Sequence, residues 1–114
     1  MGLTGDKIAT LTVGPHSQAT RLSEEGRPSR IVFPSVNLLL KTCTIKRLEI
    51  LRAMTGSDVL PVREVARRVG RDVKAVHRDM SALASAGLLD RDASGHMRFP
   101  YQGLRMDVDL LSEL

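Results

Sequence analysis

Residues 61–97 read PVREVARRVGRDVKAVHRDMSALASAGLLDRDASGHM. Pro61 fits the first position of a helix, where its missing N–H costs nothing and its ring presets φ. Val62, Val65, Ala66 and Val69 then fall at i, i+3, i+4 and i+7, the spacing of one helical face. Arg63, Arg67 and Arg68 occupy the other face. Gly70-Arg71-Asp72 breaks the pattern, and the Asp72 carboxylate can cap a second helix. In that helix Val73, Val76, Met80 and Leu83 point to the core, with Ala84 on the flank. Gly87 supplies the left-handed stop. Leu88–Asp90 and His96–Phe99 read as two short strands around an Ala93-Ser94-Gly95 turn, and Pro100 ends the hairpin. Helix, short turn, helix and hairpin is the order of a helix-turn-helix followed by a wing.

The pattern extends upstream. Thr44 can cap a helix whose Ile45, Leu48, Leu51 and Met54 share a face that Ile50 widens. Gly56-Ser57-Asp58 ends it, and Val59-Leu60 is a short strand of the kind that pairs with a wing. Nearer the start, residues 1–7 are polar and Gly-rich and are expected to fray. Ile8–Val13 alternates loosely and reads as a strand closed by Gly14-Pro15. Ser17–Glu25 reads as two turns of helix stopped by Gly26, and Gly26–Ser29 as a turn. Arg30–Phe33 is a strand, and Pro34 fits the first position of a short helix running to about Leu40.

Downstream, Leu104, Met106, Val108 and Leu110 alternate with Arg105, Asp107 and Asp109, a period of two with one apolar face. A strand face of that kind must be covered, by the N-terminal strand or by the same strand of a second chain. The expected architecture is α+β. Residues 1–40 form an N-terminal strand–helix–strand extension for dimerisation or partner binding. Residues 41–114 form a winged helix-turn-helix with a C-terminal strand.

Composition narrows the function. The 114 residues are 42% apolar, enough for one modest core. Phe33, Phe99 and Tyr101 are the whole aromatic complement, which disfavours the stacking grip used on single-stranded nucleic acid. The net charge is +4 and the pI about 9.8, favouring a polyanionic partner. Residues 41–80 carry 10 Lys+Arg against 5 Asp+Glu, whereas residues 81–114 carry 3 against 5. The positive charge therefore coincides with the helical motif. Cys43 is the sole cysteine, which suits a reducing cytosol and a buried filler role. No signal peptide is evident, and the longest apolar run, Leu38–Leu40, is too short to span a bilayer. A cytoplasmic protein without membrane contact is expected. His16, His77 and His96 are scattered without metal-ligand spacing, and no phosphate-binding loop or nucleophile elbow is present. The chain reads as a non-enzyme without a cofactor.

A helix that reads the major groove needs an apolar face for anchorage and an exposed face with donors near its N-terminus. Here the exposed face offers Arg71, Lys74, Ala75, His77, Arg78 and Ser81. Arg78 is the leading base reader, because guanidinium bonds guanine bidentately; the alternative is a surface ion pair with Asp79 or Glu64. Lys74 can reach a base or a phosphate, and so can His77. Ala75 permits close approach or contact with a thymine methyl. Arg71, just before the helix, is placed against phosphate. Of Arg63, Arg67 and Arg68, one or two are expected at phosphate. Arg98 is the best contact of a short wing whose Asp90 and Asp92 would repel the backbone.

The segment DVKAVHRDMSALASAGLLDRD resembles the winged helix-turn-helix regulators of bacteria and archaea. Asp72, Val76, Arg78, Met80 and Gly87-Leu88-Leu89 stand at that pattern's positions. The phrases TIKRLEILRAM, VREVARRVGRDVKAVHRDM and FPYQGLRMDVDL, in this order, resemble a small prokaryotic family of DNA-binding transcriptional regulators. Some of its members look like antitoxins encoded beside a toxin of the TumE type. The chain departs from that pattern at Leu60-Pro61, where a polar residue is usual, and at Ala75, where a polar reader is usual. The resemblance implies a homodimeric, sequence-specific repressor of its own operon on double-stranded DNA. It also implies an alternative, an antitoxin that neutralises a toxin protein. A winged-helix docking module without a DNA role is the third expectation.

Overall fold

The computed structural model of the protein describes residues 8–15, 17–22 and 29–111. The expectations on residues 1–7, on His16 and on the turn at 26–28 lie outside the described residues.

The N-terminal half builds a sheet. β1 (Ile8–Val13) and β3 (Arg30–Phe33) pair in parallel, with Leu11 opposite Ile31 and Val13 opposite Phe33. Ala9, Leu11, Ile31 and Phe33 are buried on one face, as period-two alternation requires. β2 (Thr20–Leu22) adds antiparallel to β3, Thr20 facing Val32. The helix expected over Ser17–Glu25 is therefore corrected: residues 20–22 are strand, and 23–25 lie outside the described residues. Ladder bonds to β3 outweigh a helical preference that so short a segment cannot sustain alone.

α1 (Val36–Thr42) starts at Ser35, whose hydroxyl accepts from the Leu38 amide at 3.1 Å. Pro34 thus precedes the cap rather than opening the helix. α2 (Ile45–Met54) starts as expected at Thr44, whose hydroxyl accepts from the Arg47 amide at 3.3 Å. Its buried residues are Ile50, Leu51 and Met54. All three belong to the expected stripe, but Ile45 is 71% exposed and Leu48 is also exposed, so only the second half of that stripe reaches the core. The reason is Arg47, which turns inward to an ion pair described below.

α3 (Val62–Val69) and α4 (Val73–Ser85) follow, with Pro61 in the capping position one residue before α3. Val65 and Ala66 of α3, and Val76, Met80 and Leu83 of α4, are buried, with Val62, Val69 and Ala84 half-buried around them. Val73 is 45% exposed and leaves the expected core face. Between the helices Gly70 is left-handed at φ 68°, and the Arg71 amide donates to the Ala66 carbonyl at 3.1 Å. A side chain with a Cβ is strained in that conformation.

α4 ends by the same device. Gly87 has φ 90°, the Leu88 amide donates to Leu83 O at 2.9 Å, and a Cβ on Gly87 would meet the Arg21 Cβ at 3.1 Å. The backbone then forms a hairpin of β4 (Asp90–Arg91) and β5 (Met97–Arg98), shorter than the two strands expected. Leu60 bridges Met97 through a pair of backbone bonds of 2.7 and 3.0 Å, as expected for the 59–60 segment. Asp92 closes the turn: its carboxylate accepts from the Ser94 amide and hydroxyl and from the His96 amide.

β6 (Gly103–Met106) returns to pair in parallel with β1, Ala9 opposite Leu104 and Leu11 opposite Met106. The sheet order is β2-β3-β1-β6. Of the two covers expected for the tail strand, the N-terminal strand takes one edge, and the strand ends at Met106 rather than Leu110. The result is an α+β architecture in which a mixed sheet, four helices and a hairpin share one hydrophobic core among the described residues. Arg21 ties the sheet to the helices, bonding Gly87 O at 3.3 Å and Tyr101 Oη at 3.2 Å and pairing with Asp90 at 2.9 Å.

Candidate nucleic-acid interface

α4 decides the site. At about 100° per residue, Lys74, His77, Arg78 and Ser81 fall within an arc of roughly 100°, opposite Val76, Met80 and Leu83. The burial agrees. Val76, Met80 and Leu83 have no exposed surface, while Lys74, His77 and Arg78 are exposed and Ala75 and Ser81 half-buried. Neither surface pairing open to Arg78 forms. Asp79 is held by Arg47 and Arg71, and Glu64 by Arg67 and Arg68. Lys74, His77 and Arg78 enter no ion pair among the described residues. Three donors thus share one helical face without an internal acceptor.

The Asp72 carboxylate accepts from the Ala75 amide at 3.1 Å and caps the helix as expected. Asp79 fixes the helix sideways. Its Oδ1 lies 3.0 Å from Arg47 Nε and its Oδ2 2.9 Å from Arg71 Nη2, with side-chain exposures of 15–20%. Burial alone would raise the Asp79 carboxyl, but the hydrogen bonds and charges of Arg47 and Arg71 hold it below its ordinary value. Arg47 also donates to the carbonyls of Lys41 and Thr42 at 3.2 Å, joining the end of α1 to the same point. This network, spanning residues 41 to 79, is the feature that sequence reading missed. Arg47 alternates with no partner visible in the chain order, and only the packing of α2 against α4 brings the pair together.

Arg71 is held more tightly than its place before the helix suggests. It was expected at phosphate, but one arm is occupied by Asp79, and its Nη1 is buried without a partner among the described residues. The arginine holds α4 to the turn rather than reaching freely outward.

Beside it, an open cleft is lined by Arg63, Arg67, Gly70, Arg71 and Val73. Arg63 is exposed and enters no ion pair among the described residues. Arg67 is 73% exposed and forks onto Glu64 at 2.6 and 3.0 Å. Those bonds, with that of Arg68, pull the Glu64 carboxyl down to about 2. Arg68 is structural: it reaches Ala53 O at 3.0 Å and Ser57 Oγ at 2.9 Å and ties α3 to the end of α2. Arg63 and Arg67 therefore flank α4 as cations, and Arg68 does not.

Arg98 stands apart. It is exposed and lines a different depression, with Gly56, Ser57, Pro100 and Gln102. The hairpin acids do not stand free as expected, since Asp90 pairs with Arg21 and Asp92 closes the turn. Cys43 is half-buried, and burial pushes its thiol up to about 11 despite Arg47 nearby, well away from a reactive thiolate. Among the described residues no group of three or more His, Cys, Asp or Glu side chains is placed to hold a metal ion. No described helix is long and apolar enough to cross a membrane.

No curated protein and no solved structure matches the chain. The HVO_A0114 family matches residues 42–106. That span starts at the end of α1, carries α2, α3, α4 and the hairpin, and ends with β6, so it covers more than half of the chain and every candidate contact. The chain belongs to the HVO_A0114 family.

Proposed function

We propose that the protein is a winged helix-turn-helix regulator that binds double-stranded DNA in the cytoplasm as a homodimer and represses transcription from its own promoter. In this reading α3 and α4 are the motif, β4 and β5 the wing, and α4 enters the major groove. The observation that carries it is the α4 face. Lys74, His77 and Arg78 project together, opposite a fully buried Val76-Met80-Leu83 seam, with every nearby carboxylate already taken. Unpaired donors on a rigidly seated helix suit an acceptor-rich groove edge. Arg63 and Arg67, across the cleft, suit the adjoining phosphates, which set register and salt dependence without carrying sequence information.

The test is binding to the DNA upstream of the protein's own gene, measured against random DNA over a range of salt. Affinity for both falls linearly on a log–log plot. Arg78→Ala relaxes one base position and weakens specific binding by about 1–3 kcal/mol, whereas Arg63→Ala weakens both DNAs alike. Affinity that ignores salt, or equal loss on both DNAs for Arg78→Ala, refutes the base-reading role. A Lys74→Ala/Arg78→Ala chain that binds both DNAs like the wild type removes the α4 face from the contact, and a wild type that binds neither DNA transfers the reading to a protein-docking winged helix.

A further inference from the structure

β6 closes one side of the sheet, and among the described residues nothing pairs with its far edge. An unpaired strand edge is a template for another strand. Which groups it offers follows from the register. β6 pairs with β1 through Ala9–Leu104 and Leu11–Met106, and the Asp107 amide donates to Leu11 O at 2.8 Å. The amides and carbonyls of odd-numbered positions therefore turn toward β1. Those of Leu104 and Met106, and of Val108 if the strand is continued, turn to the open edge.

The sequence across that edge, Leu104-Arg105-Met106-Asp107-Val108, complements its own reverse. Placed antiparallel to a second copy with the two-fold axis at Met106, Leu104 faces Val108 of the other copy and Met106 faces itself. All three pairs then use outward-turned backbone groups, so they are hydrogen-bonded pairs. Arg105 faces Asp107 twice, in the closely spaced non-hydrogen-bonded pairs where side chains interact most strongly. Arg105 and Asp107 are both exposed and enter no ion pair among the described residues. A dyad at Arg105 would set arginine on arginine, and one at Asp107 aspartate on aspartate. Of these three axes, the Met106 axis alone satisfies charge, polarity and hydrogen bonding together.

The surroundings fit the same occupant. Met106 is 48% exposed on the apolar face. Next to β6 runs a groove lined by Leu48, Leu51, Phe99 and Leu104, and Ile45 stands 71% exposed on the same helix as Leu48. The opposite edge, β2, offers three residues among those described.

We propose that a second copy of this chain occupies the β6 edge, pairing antiparallel about a two-fold axis at Met106 and continuing the sheet across the dimer. This rests on the homodimeric part of the functional reading and is independent of DNA binding. Such an interface is isologous, so one substitution acts twice.

The experiment is the mass and dimer dissociation constant of the full chain by sedimentation in the micromolar range. The wild type sediments as a dimer. Arg105→Asp and Asp107→Arg each set like charges face to face on both sides of the axis and raise the dissociation constant about tenfold or more. The combined R105D/D107R chain restores dimerisation. Met106→Pro abolishes it while leaving the thermal transition of the monomer in place, because the lost amide faces the open edge. A monomeric wild type, or failure of the double variant to recover while circular dichroism shows it folded, overturns the proposal. A monomer that still reads its operator refutes this interface and spares the α4 reading. A dimer with charge-swap rescue that ignores DNA does the reverse.

Discussion

Replacing Asp79 with Asn removes the carboxylate that holds Arg47 and Arg71. Both ion pairs, 3.0 Å to Arg47 and 2.9 Å to Arg71, sit at side-chain exposures of 15–20%. Exposed pairs are worth about 0–1 kcal/mol each, and stranding a fully buried charge costs about 3–5 kcal/mol. The two partners differ in what remains. Arg47 keeps the Lys41 and Thr42 carbonyls. Arg71 keeps nothing comparable, since its Nη1 is already buried without a partner among the described residues. The cost therefore falls mainly on Arg71, and a loss of about 2 kcal/mol is expected, between the two limits. For a chain of this size that is a fall of roughly 8 °C in the melting temperature. Denaturant unfolding of the wild type, Asp79→Asn, Arg71→Met and the double variant measures it, with a coupling of at least about 1 kcal/mol between the two positions. The Arg47 pair should couple less. A single-variant loss under about 0.5 kcal/mol, or additivity in the cycle, would refute the claim that this carboxylate seats α4.

Gly87→Ala forces a side chain into a backbone at φ 90° and against the Arg21 Cβ at 3.1 Å; a loss of about 1–3 kcal/mol is expected in thermal unfolding. Asp72→Ala removes the carboxylate that accepts from the Ala75 amide and lowers stability by about 1 kcal/mol, while Asp72→Ser recovers most of it. Acid titration has a fixed sign. Asp79 and Glu64 titrate below their ordinary values of 3.8 and 4.5, Glu64 at about 2, so they bind fewer protons folded than unfolded. Their stabilisation is complete above about pH 4.5 and is lost as pH falls toward 2; in Asp79→Asn the slope of stability against pH in that window is shallower. Leu83→Ala empties a site with no exposed surface and costs about 2–5 kcal/mol, with Lys74, His77 and Arg78 untouched.

The central motif was legible because its signals are local. Valine spacing, a capping aspartate and two glycines in positive φ specify α3, the turn and α4 from within a few residues. The same spacing named the α4 face, and Lys74, His77, Arg78 and Ser81 stand on it together. The sequence failed where a long-range partner decides. Residues 20–22 became strand because β3 offered an edge, and no local signal for that exists. Ile45, Leu48 and Val73 look like core by spacing and are exposed, because Arg47 and Arg71 turn inward to Asp79 in their place.

By itself, then, the chain determined the helices, their caps and the turn, since those depend on backbone geometry and on side chains three or four positions apart. Which arginines are free was settled by tertiary structure alone. Arg47, Arg68 and Arg71 are tied down by residues that the fold brings from 11, 15 and 32 positions away or from the next helix, and charge pairing depends on distance in space, which periodicity does not encode.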